Sequence, residues 1–80
     1  MPKYYKYIGG YRVSYLGIGL IRMYKPKGFC CFVNPMTNEI QNCTEGSIDS
    51  NNRDSLLEIA KDFARSLDVY KQGKYKIKEQ

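Results

Sequence analysis

The spacing of hydrophobic residues changes once along this chain, from a period of two before Gly46 to a three-and-four spacing after it. Tyr11, Val13 and Tyr15 alternate with polar neighbours, which is typical of a strand with one apolar face. The apolar positions that follow helical spacing near the C-terminal end are Leu56, Ile59, Ala60, Phe63, Leu67 and Tyr70. The change in period predicts a sheet followed by a helix.

Turn residues divide the first part of the chain into short strands. Gly9-Gly10 suits the positive φ angles of a two-residue hairpin, and the segment 25–28 has proline and glycine where a β-turn favours them. The glycines at 17 and 19 predict a bend or bulge, and residues 35–38 predict the last hairpin loop. Strands are expected over 4–8, 11–16, 20–24, 29–34 and 39–43.

Residues 48–52 offer several helix N-caps, and the apolar spacing then predicts one amphipathic helix of about four to five turns that ends by Gly73. Eighty residues suffice for one small core. We therefore expect a single α+β domain over 1–70, a small antiparallel sheet of three to five strands packed by one C-terminal amphipathic helix. Residues 71–80 are expected to form a basic tail, with a short strand over 75–77 as the alternative.

The chain contains no histidine. Histidine is the commonest general base and zinc ligand, and the usual partner of a serine or cysteine nucleophile. We therefore expect a non-enzymatic protein with no catalytic residue, no cofactor and no metal site. The longest apolar run, at 16–21, is far shorter than the roughly 20 residues of a membrane span, and no signal peptide is evident. The protein is expected to be cytoplasmic, with no membrane partner.

Three cysteines, Cys30, Cys31 and Cys43, are an odd number in a chain without an export signal, which favours free thiols in a reducing compartment. If Asn34 and Glu39 close a four-residue hairpin loop, the residues that face each other have numbers adding to 73. Cys30 then lies opposite Cys43. That pair is expected to be able to oxidise in vitro, and simple packing is the alternative interpretation.

Positive charge is concentrated at the two ends of the chain. The net charge is +6 over residues 1–28, −4 over 29–68 and +3 over 69–80. Tyrosines are interleaved with the cations of the first 28 residues, and tyrosine stacks on unpaired bases while lysine and arginine attract phosphates. The strand preference of tyrosine and the protection of sheet edges by lysine offer an alternative explanation.

This pattern predicts a small nucleic-acid-binding module that contacts DNA or RNA through a basic, tyrosine-rich sheet face. The residues expected at the interface are Lys6, Arg12, Tyr15, Arg22, Tyr24, Lys25 and Lys27. Tyrosine and arginine are also enriched at protein interfaces. The alternative function is therefore a protein-binding inhibitor or adaptor, for example phage- or host-encoded, that blocks a larger enzyme through the same face. A homodimer is also considered, through Phe29, Cys31 and Val33 or through Phe32 on the opposite side.

The segment 28–39 begins with glycine and an aromatic residue and leads through Asn34-Pro35 into a return strand, after which the helix follows. In this order of features, residues 19–68 resemble the small three-stranded-sheet-plus-helix DNA-binding domains of phage integrase amino termini and plant ethylene-response factors. The resemblance implies that the sheet enters the major groove, with Arg22, Lys25 and Lys27 as contacts. Residues 30–33 are apolar where such a sheet carries polar, base-reading side chains.

Overall fold

The first half of the chain forms one antiparallel sheet in the computed structural model, which describes residues 5–79. The strand order is β1-β2-β3-β4-β5, so each strand pairs with its neighbours in the sequence. The strands are β1 (Tyr5–Ile8), β2 (Tyr11–Gly17), β3 (Leu20–Lys25), β4 (Phe29–Asn34) and β5 (Glu39–Asn42). The predicted α+β class is confirmed, and the strands end within one residue of their predicted ends. Residue Tyr4 of the first predicted strand lies outside the described residues.

Local backbone chemistry explains the turns between the strands. Gly9 and Gly10 have φ angles of 59° and 86°, which a two-residue hairpin of the mirror-image type requires. The N–H of Gly28 donates to the carbonyl of Lys25 at 3.1 Å and closes the predicted β-turn between β3 and β4. The bend predicted at 17–19 is a complete reversal between β2 and β3, and the register of these two strands shifts just before it.

Helix α1 (Ser50–Arg65) begins where the sequence offers N-cap residues. The Asp49 carboxylate accepts a hydrogen bond from the N–H of Asn52 at 2.8 Å, which satisfies one of the free amide groups of the first turn. The helix has 16 residues, which agrees with the predicted four to five turns.

The helix ends earlier than its hydrophobic spacing predicts. The Ser66 hydroxyl donates to the carbonyl of Phe63 at 2.6 Å, Leu67 is extended with ψ 140°, and a separate short helix α2 (Asp68–Lys71) follows. The prediction of one continuous helix through Tyr70 is therefore wrong. Serine competes with the main chain for helix carbonyls, and apolar spacing does not register this effect.

Both helices lie toward the same side of the sheet, and the core is enclosed between the two layers. Its buried apolar side chains are Val13, Ile21, Met23, Cys31, Val33, Leu56, Ala60, Phe63, Ala64, Leu67 and Tyr70. The break after α1 allows Tyr70 to donate from its hydroxyl to the carbonyl of Gly19 at 2.6 Å. Burial raises the pKa of the Tyr70 hydroxyl to about 12, so it remains a donor well into the alkaline range. This contact joins α2 to the turn between β2 and β3.

The segment after α2 packs against the domain as far as it is described. Tyr75 and Ile77 contact the core, and the rings of Tyr70 and Tyr75 lie 5.7 Å apart. The N–H of Lys78 donates to the carbonyl of Pro35 at 2.8 Å. The strand considered over 75–77 does not form, because the segment makes contacts through side chains and single hydrogen bonds and not through a ladder.

The position of α1 determines which sheet face is exposed. Cys31 and Val33 are fully buried and Phe29 packs against the same core. Cys31 and Val33 are therefore covered within one chain, and Phe29 is partly covered. Phe32 lies on the opposite face, which no helix of residues 5–79 covers.

Candidate functional site

The sheet face that α1 leaves uncovered carries alternate residues of the strands, and we call it the open face. None of its side chains is buried. The strand register arranges them in three rows that cross the sheet. One end row is Tyr7, Arg12, Tyr24, Cys30 and Cys43, the middle row is Tyr5, Ser14, Arg22, Phe32 and Gln41, and the other end row is Leu16, Leu20, Asn34 and Glu39.

Three tyrosines and two arginines form one connected group on the first two rows. We call this group the tyrosine–arginine cluster: Tyr5, Tyr7, Arg12, Arg22 and Tyr24. The guanidinium carbon of Arg12 lies 4.2 Å from the centre of the Tyr5 ring, and that of Arg22 lies 4.9 Å from the centre of the Tyr24 ring. Tyr5 and Tyr7 meet edge to face, with ring centres 5.8 Å apart. Because Arg12 and Tyr24 are direct cross-strand partners, the cluster spans β1, β2 and β3.

The guanidinium groups of the cluster have no carboxylate partner among residues 5–79. The one ion pair in this range joins Arg65 to Asp62 on α1, at 2.6 Å. The chain has eight acidic residues: Asp49 is the N-cap of α1, and four others belong to the two helices. The acid on the open face, Glu39, belongs to the row farthest from Arg12. Charge is therefore separated, with unpaired cations on the open face and most acids on the helix side.

The other end of the open face is apolar. We define the apolar end as Leu16, Ile18, Leu20 and Phe32. Leu16 is 49% exposed, and Ile18, at the turn between β2 and β3, is 75% exposed. Leu16, Leu20 and Phe32 line a groove of about 750 Å³. Ile18 also has a φ of 47°, a left-handed backbone that β-branched residues rarely adopt.

Three of the seven residues predicted at the interface lie together in the cluster. These are Arg12, Arg22 and Tyr24, which occupy even-numbered positions on β2 and β3. Strand residues of the same parity point to the same face, and this brings them together.

The other four predicted interface residues lie elsewhere. Lys6 pairs with Val13 and so belongs to the helix-side face, at the edge of the sheet. Tyr15 is on that face too, where its hydroxyl accepts a hydrogen bond from the N–H of Gly19 at 3.1 Å. Lys25 places its ammonium nitrogen 4.4 Å from the centre of the Tyr11 ring. Lys27 is exposed in the turn between β3 and β4.

Sequence reasoning did not include Tyr5 and Tyr7 among the seven predicted interface residues, and it considered Phe32 only as a dimer contact. The information to find them was present, because the Gly9-Gly10 hairpin fixes the register of β1 against β2. That register places Tyr7 opposite Arg12. Alternation along β4 places Phe32 on the same face as Arg22.

Comparison with known proteins gives no relative for this chain: no protein-family model, no curated protein and no solved structure matches it. No helix within residues 5–79 is long and apolar enough to cross a membrane. In the same range, no group of three or more cysteine, aspartate or glutamate side chains is arranged to hold a metal ion. The resemblance to sheet-reading DNA-binding domains stays a prediction.

Proposed function

We propose that this protein binds single-stranded nucleic acid on the open face of its sheet, with the tyrosine–arginine cluster as the contact site. One observation carries the proposal. Two arginines lie against tyrosine rings on an uncovered sheet, and neither pairs with a carboxylate within the described residues. Arginine N–H groups that are not neutralised internally are donors for phosphate, and aromatic rings are platforms for bases.

The cluster assigns different roles to its members. The guanidinium groups of Arg12 and Arg22 lie over the rings of Tyr5 and Tyr24, which orders them, and neither arginine is buried. Tyr7 is 71% exposed, so one face of its ring is available to a base. Phosphate and base contacts are thus expected within the same two rows.

The width of the sheet favours a single strand over a duplex. Five strands spaced about 4.8 Å apart make a surface about 19 Å wide. The major groove of DNA is about 12 Å wide and admits a helix or a two-stranded ribbon. An unpaired strand lies on an open sheet of this kind without that restriction.

The test is a titration of the nuclease-treated protein against labelled oligothymidylate and oligouridylate at about 50 and about 200 mM salt, where phosphate contacts give a strong salt dependence. In the Arg12→Gln/Arg22→Gln variant we expect affinity at low salt to fall roughly a hundredfold or more, since hydrogen bonds to charged groups contribute about 1.5 kcal/mol or more each and every 1.4 kcal/mol corresponds to a factor of about ten. The slope of log affinity against log salt is expected to decrease by about 1.4, because two phosphate contacts are lost.

Lys61→Gln/Arg65→Gln is the matched control, since it removes the same two charges from α1 on the other side of the domain. Equal losses in both double variants would show attraction by net charge alone and would contradict a site on the open face. Tyr7→Ala is expected to weaken binding at every salt concentration without changing the slope, because stacking releases no counterions. Absence of binding at low salt would refute the proposed function.

A second candidate function is protein binding through the apolar end, and we propose a second copy of this chain as the occupant. Ile18 protrudes beside the groove, and the rim of the groove carries Glu39 and Arg53, which have opposite charges. In a two-fold dimer the same surface of both copies must fit against itself. This surface can do so, because it carries a protruding side chain, a groove and charges of both signs.

Sedimentation equilibrium over a wide concentration range tests this candidate. We expect concentration-dependent dimerisation that Ile18→Asn abolishes and Ile18→Val preserves, because valine keeps a β-branched apolar side chain at the same place. A monomer at all concentrations would refute self-association.

A further inference from the structure

The three cysteines differ in burial and in the sheet face that they occupy. Cys31 is fully buried on the helix side, Cys30 is half-buried on the open face, and Cys43 is exposed just after the end of β5. All three are free thiols. Two of them, Cys30 and Cys43, are therefore accessible to a reagent in solution.

Cys30 and Cys43 face each other across the hairpin of β4 and β5. The N–H of Cys43 donates to the carbonyl of Cys30 at 3.0 Å, which continues the register of the strand pair by one residue. Residues opposite each other in such a hydrogen-bonded pair have Cα atoms about 5.5 Å apart, a separation typical of disulfide-bonded cysteines. The Cys43 thiol donates a hydrogen bond to the carbonyl of Gln41 at 3.9 Å. The expected Cα separation is thus compatible with a disulfide, and the Cβ atoms of such a pair, about 4.5–5.5 Å apart, have to approach each other by about 1 Å for the bond to form.

We propose that Cys30 and Cys43 form a reactive dithiol site that small-molecule disulfides oxidise to a reversible disulfide between β4 and β5. The exposed Cys43 thiolate attacks one sulfur of the small-molecule disulfide, whose S–S bond breaks as one thiolate leaves. The Cys30 thiolate then attacks the Cys43 sulfur of the mixed disulfide, and the second small-molecule thiolate leaves. The two protein thiols lose two protons and two electrons, and the small-molecule disulfide is reduced to two thiols.

Cys31 is excluded from this chemistry although it neighbours Cys30 in the sequence. Adjacent residues of a strand point to opposite faces, so the two sulfurs are separated by the sheet. Burial, and then the neighbouring Cys30, raises the pKa of the Cys31 thiol to about 12, which keeps the nucleophilic thiolate scarce. The site therefore has one pairing available, and Cys31 serves as an internal unreactive reference.

The disulfide would fasten the edge strand of the sheet. β5 has four residues and hydrogen-bonds to β4 alone. The bond encloses the hairpin 31–42, and a crosslink around a loop of this size reduces the conformational freedom of the unfolded chain. Because Cys30 is the cross-strand partner of Tyr24, the disulfide lies beside the tyrosine–arginine cluster. Formation of the disulfide does not depend on nucleic-acid binding.

The test uses the intact chain and excess oxidised glutathione. Thiols counted after denaturation are expected to fall from three to one, with the loss of two hydrogens from the protein mass and no bound glutathione at the end point. Proteolysis without reductant is expected to yield a peptide that joins Cys30 to Cys43, and dithiothreitol is expected to restore all three thiols. The melting midpoint is expected to rise by about 5–15 °C on oxidation.

Two variants separate the site from general thiol oxidation. Cys43→Ser is expected to abolish both the intramolecular disulfide and the rise in melting midpoint, while its exposed position leaves the fold intact. Cys31→Ala is expected to form the same disulfide as the parent chain. A glutathione adduct that persists on Cys43 while Cys30 stays reduced, or a link that involves Cys31, would overturn the inference. These outcomes are read from the parent chain, so they stand even if a variant fails to fold.

Discussion

The turn between β2 and β3 predicts that one surface substitution will stabilise the protein. Ile18 has a φ of 47° between Gly17 at 93° and Gly19 at 88°. A left-handed backbone costs a residue with a β-carbon about 1–2 kcal/mol, whereas asparagine tolerates it and Asn-Gly is a preferred sequence for this kind of turn. Ile18 is 75% exposed, so replacing it loses only about 0.5 kcal/mol of apolar burial. We expect Ile18→Asn to raise the free energy of unfolding by about 1 kcal/mol.

Thermal and urea unfolding followed by circular dichroism measure this effect. A gain of about 1 kcal/mol corresponds to a rise of about 4–8 °C in the melting midpoint of a domain of this size. Ile18→Val is the control, because it keeps the β-branch and the strain, and its stability is expected to stay within about 0.5 kcal/mol of the parent chain. Equal stabilisation by valine and asparagine, or none by asparagine, would refute the assignment of strain to Ile18.

Three further substitutions test contacts on the helix side of the sheet. Tyr70→Phe is expected to lower the free energy of unfolding by about 1–2 kcal/mol, because it leaves the Gly19 carbonyl without its donor. The pKa of Tyr70 is about 12 in the folded state and about 10 in the unfolded state, so the parent chain is expected to lose this stabilisation as the pH rises from 10 through 12. The phenylalanine variant lacks the hydroxyl and is expected not to show this loss. Asp49→Ala removes the N-cap of α1 and is expected to cost about 1 kcal/mol in urea unfolding. Gly19→Ala places a β-carbon against the Met36 side chain at a φ of 88° and is expected to cost more than Gly17→Ala, which has a similar φ but open space around it.

Features determined by neighbouring residues were predictable from the sequence. The glycine pair at 9–10 fixed the first hairpin, and the length of the four-residue loop between Asn34 and Glu39 was enough to place Cys30 opposite Cys43. Asp49 was among the expected N-caps of α1. In each case a few consecutive residues determine the geometry, so no long-range contact is needed to infer it.

Features that depend on tertiary packing were not predictable in the same way. β4 carries apolar residues on both faces, Cys31 and Val33 on one and Phe32 on the other, so its alternation does not show which face α1 covers. The end of α1 depends on a hydrogen bond from Ser66 and on the position that Tyr70 takes over the β2–β3 turn. Neither contact has a signature in hydrophobic spacing.

Three of the seven predicted interface residues lie in the tyrosine–arginine cluster, and the even or odd number of a residue explains on which sheet face it lies. Arg12, Arg22 and Tyr24 fall at even positions and share the open face, whereas Tyr15 and Lys25 fall at odd positions and face the helix side. The sequence-based prediction of the interface selected residues by type and proximity. Applying the alternation of strands to the same residues would have separated the two groups.

The cluster and the apolar end have no side chain in common and can be tested with separate variants. The first and third rows of the open face lie about 14 Å apart along a strand, and the two sites meet in the middle row, where Arg22 and Phe32 are cross-strand partners. Ile18 does not belong to the core between the sheet and the helix. It has a strained backbone and an exposed apolar side chain, and features of this kind concentrate at functional sites. We therefore expect Arg12→Gln/Arg22→Gln to lose nucleic-acid binding and still self-associate, and Ile18→Asn to do the reverse. If either variant lost both activities, the open face would act as one surface, and its division into two sites would be wrong.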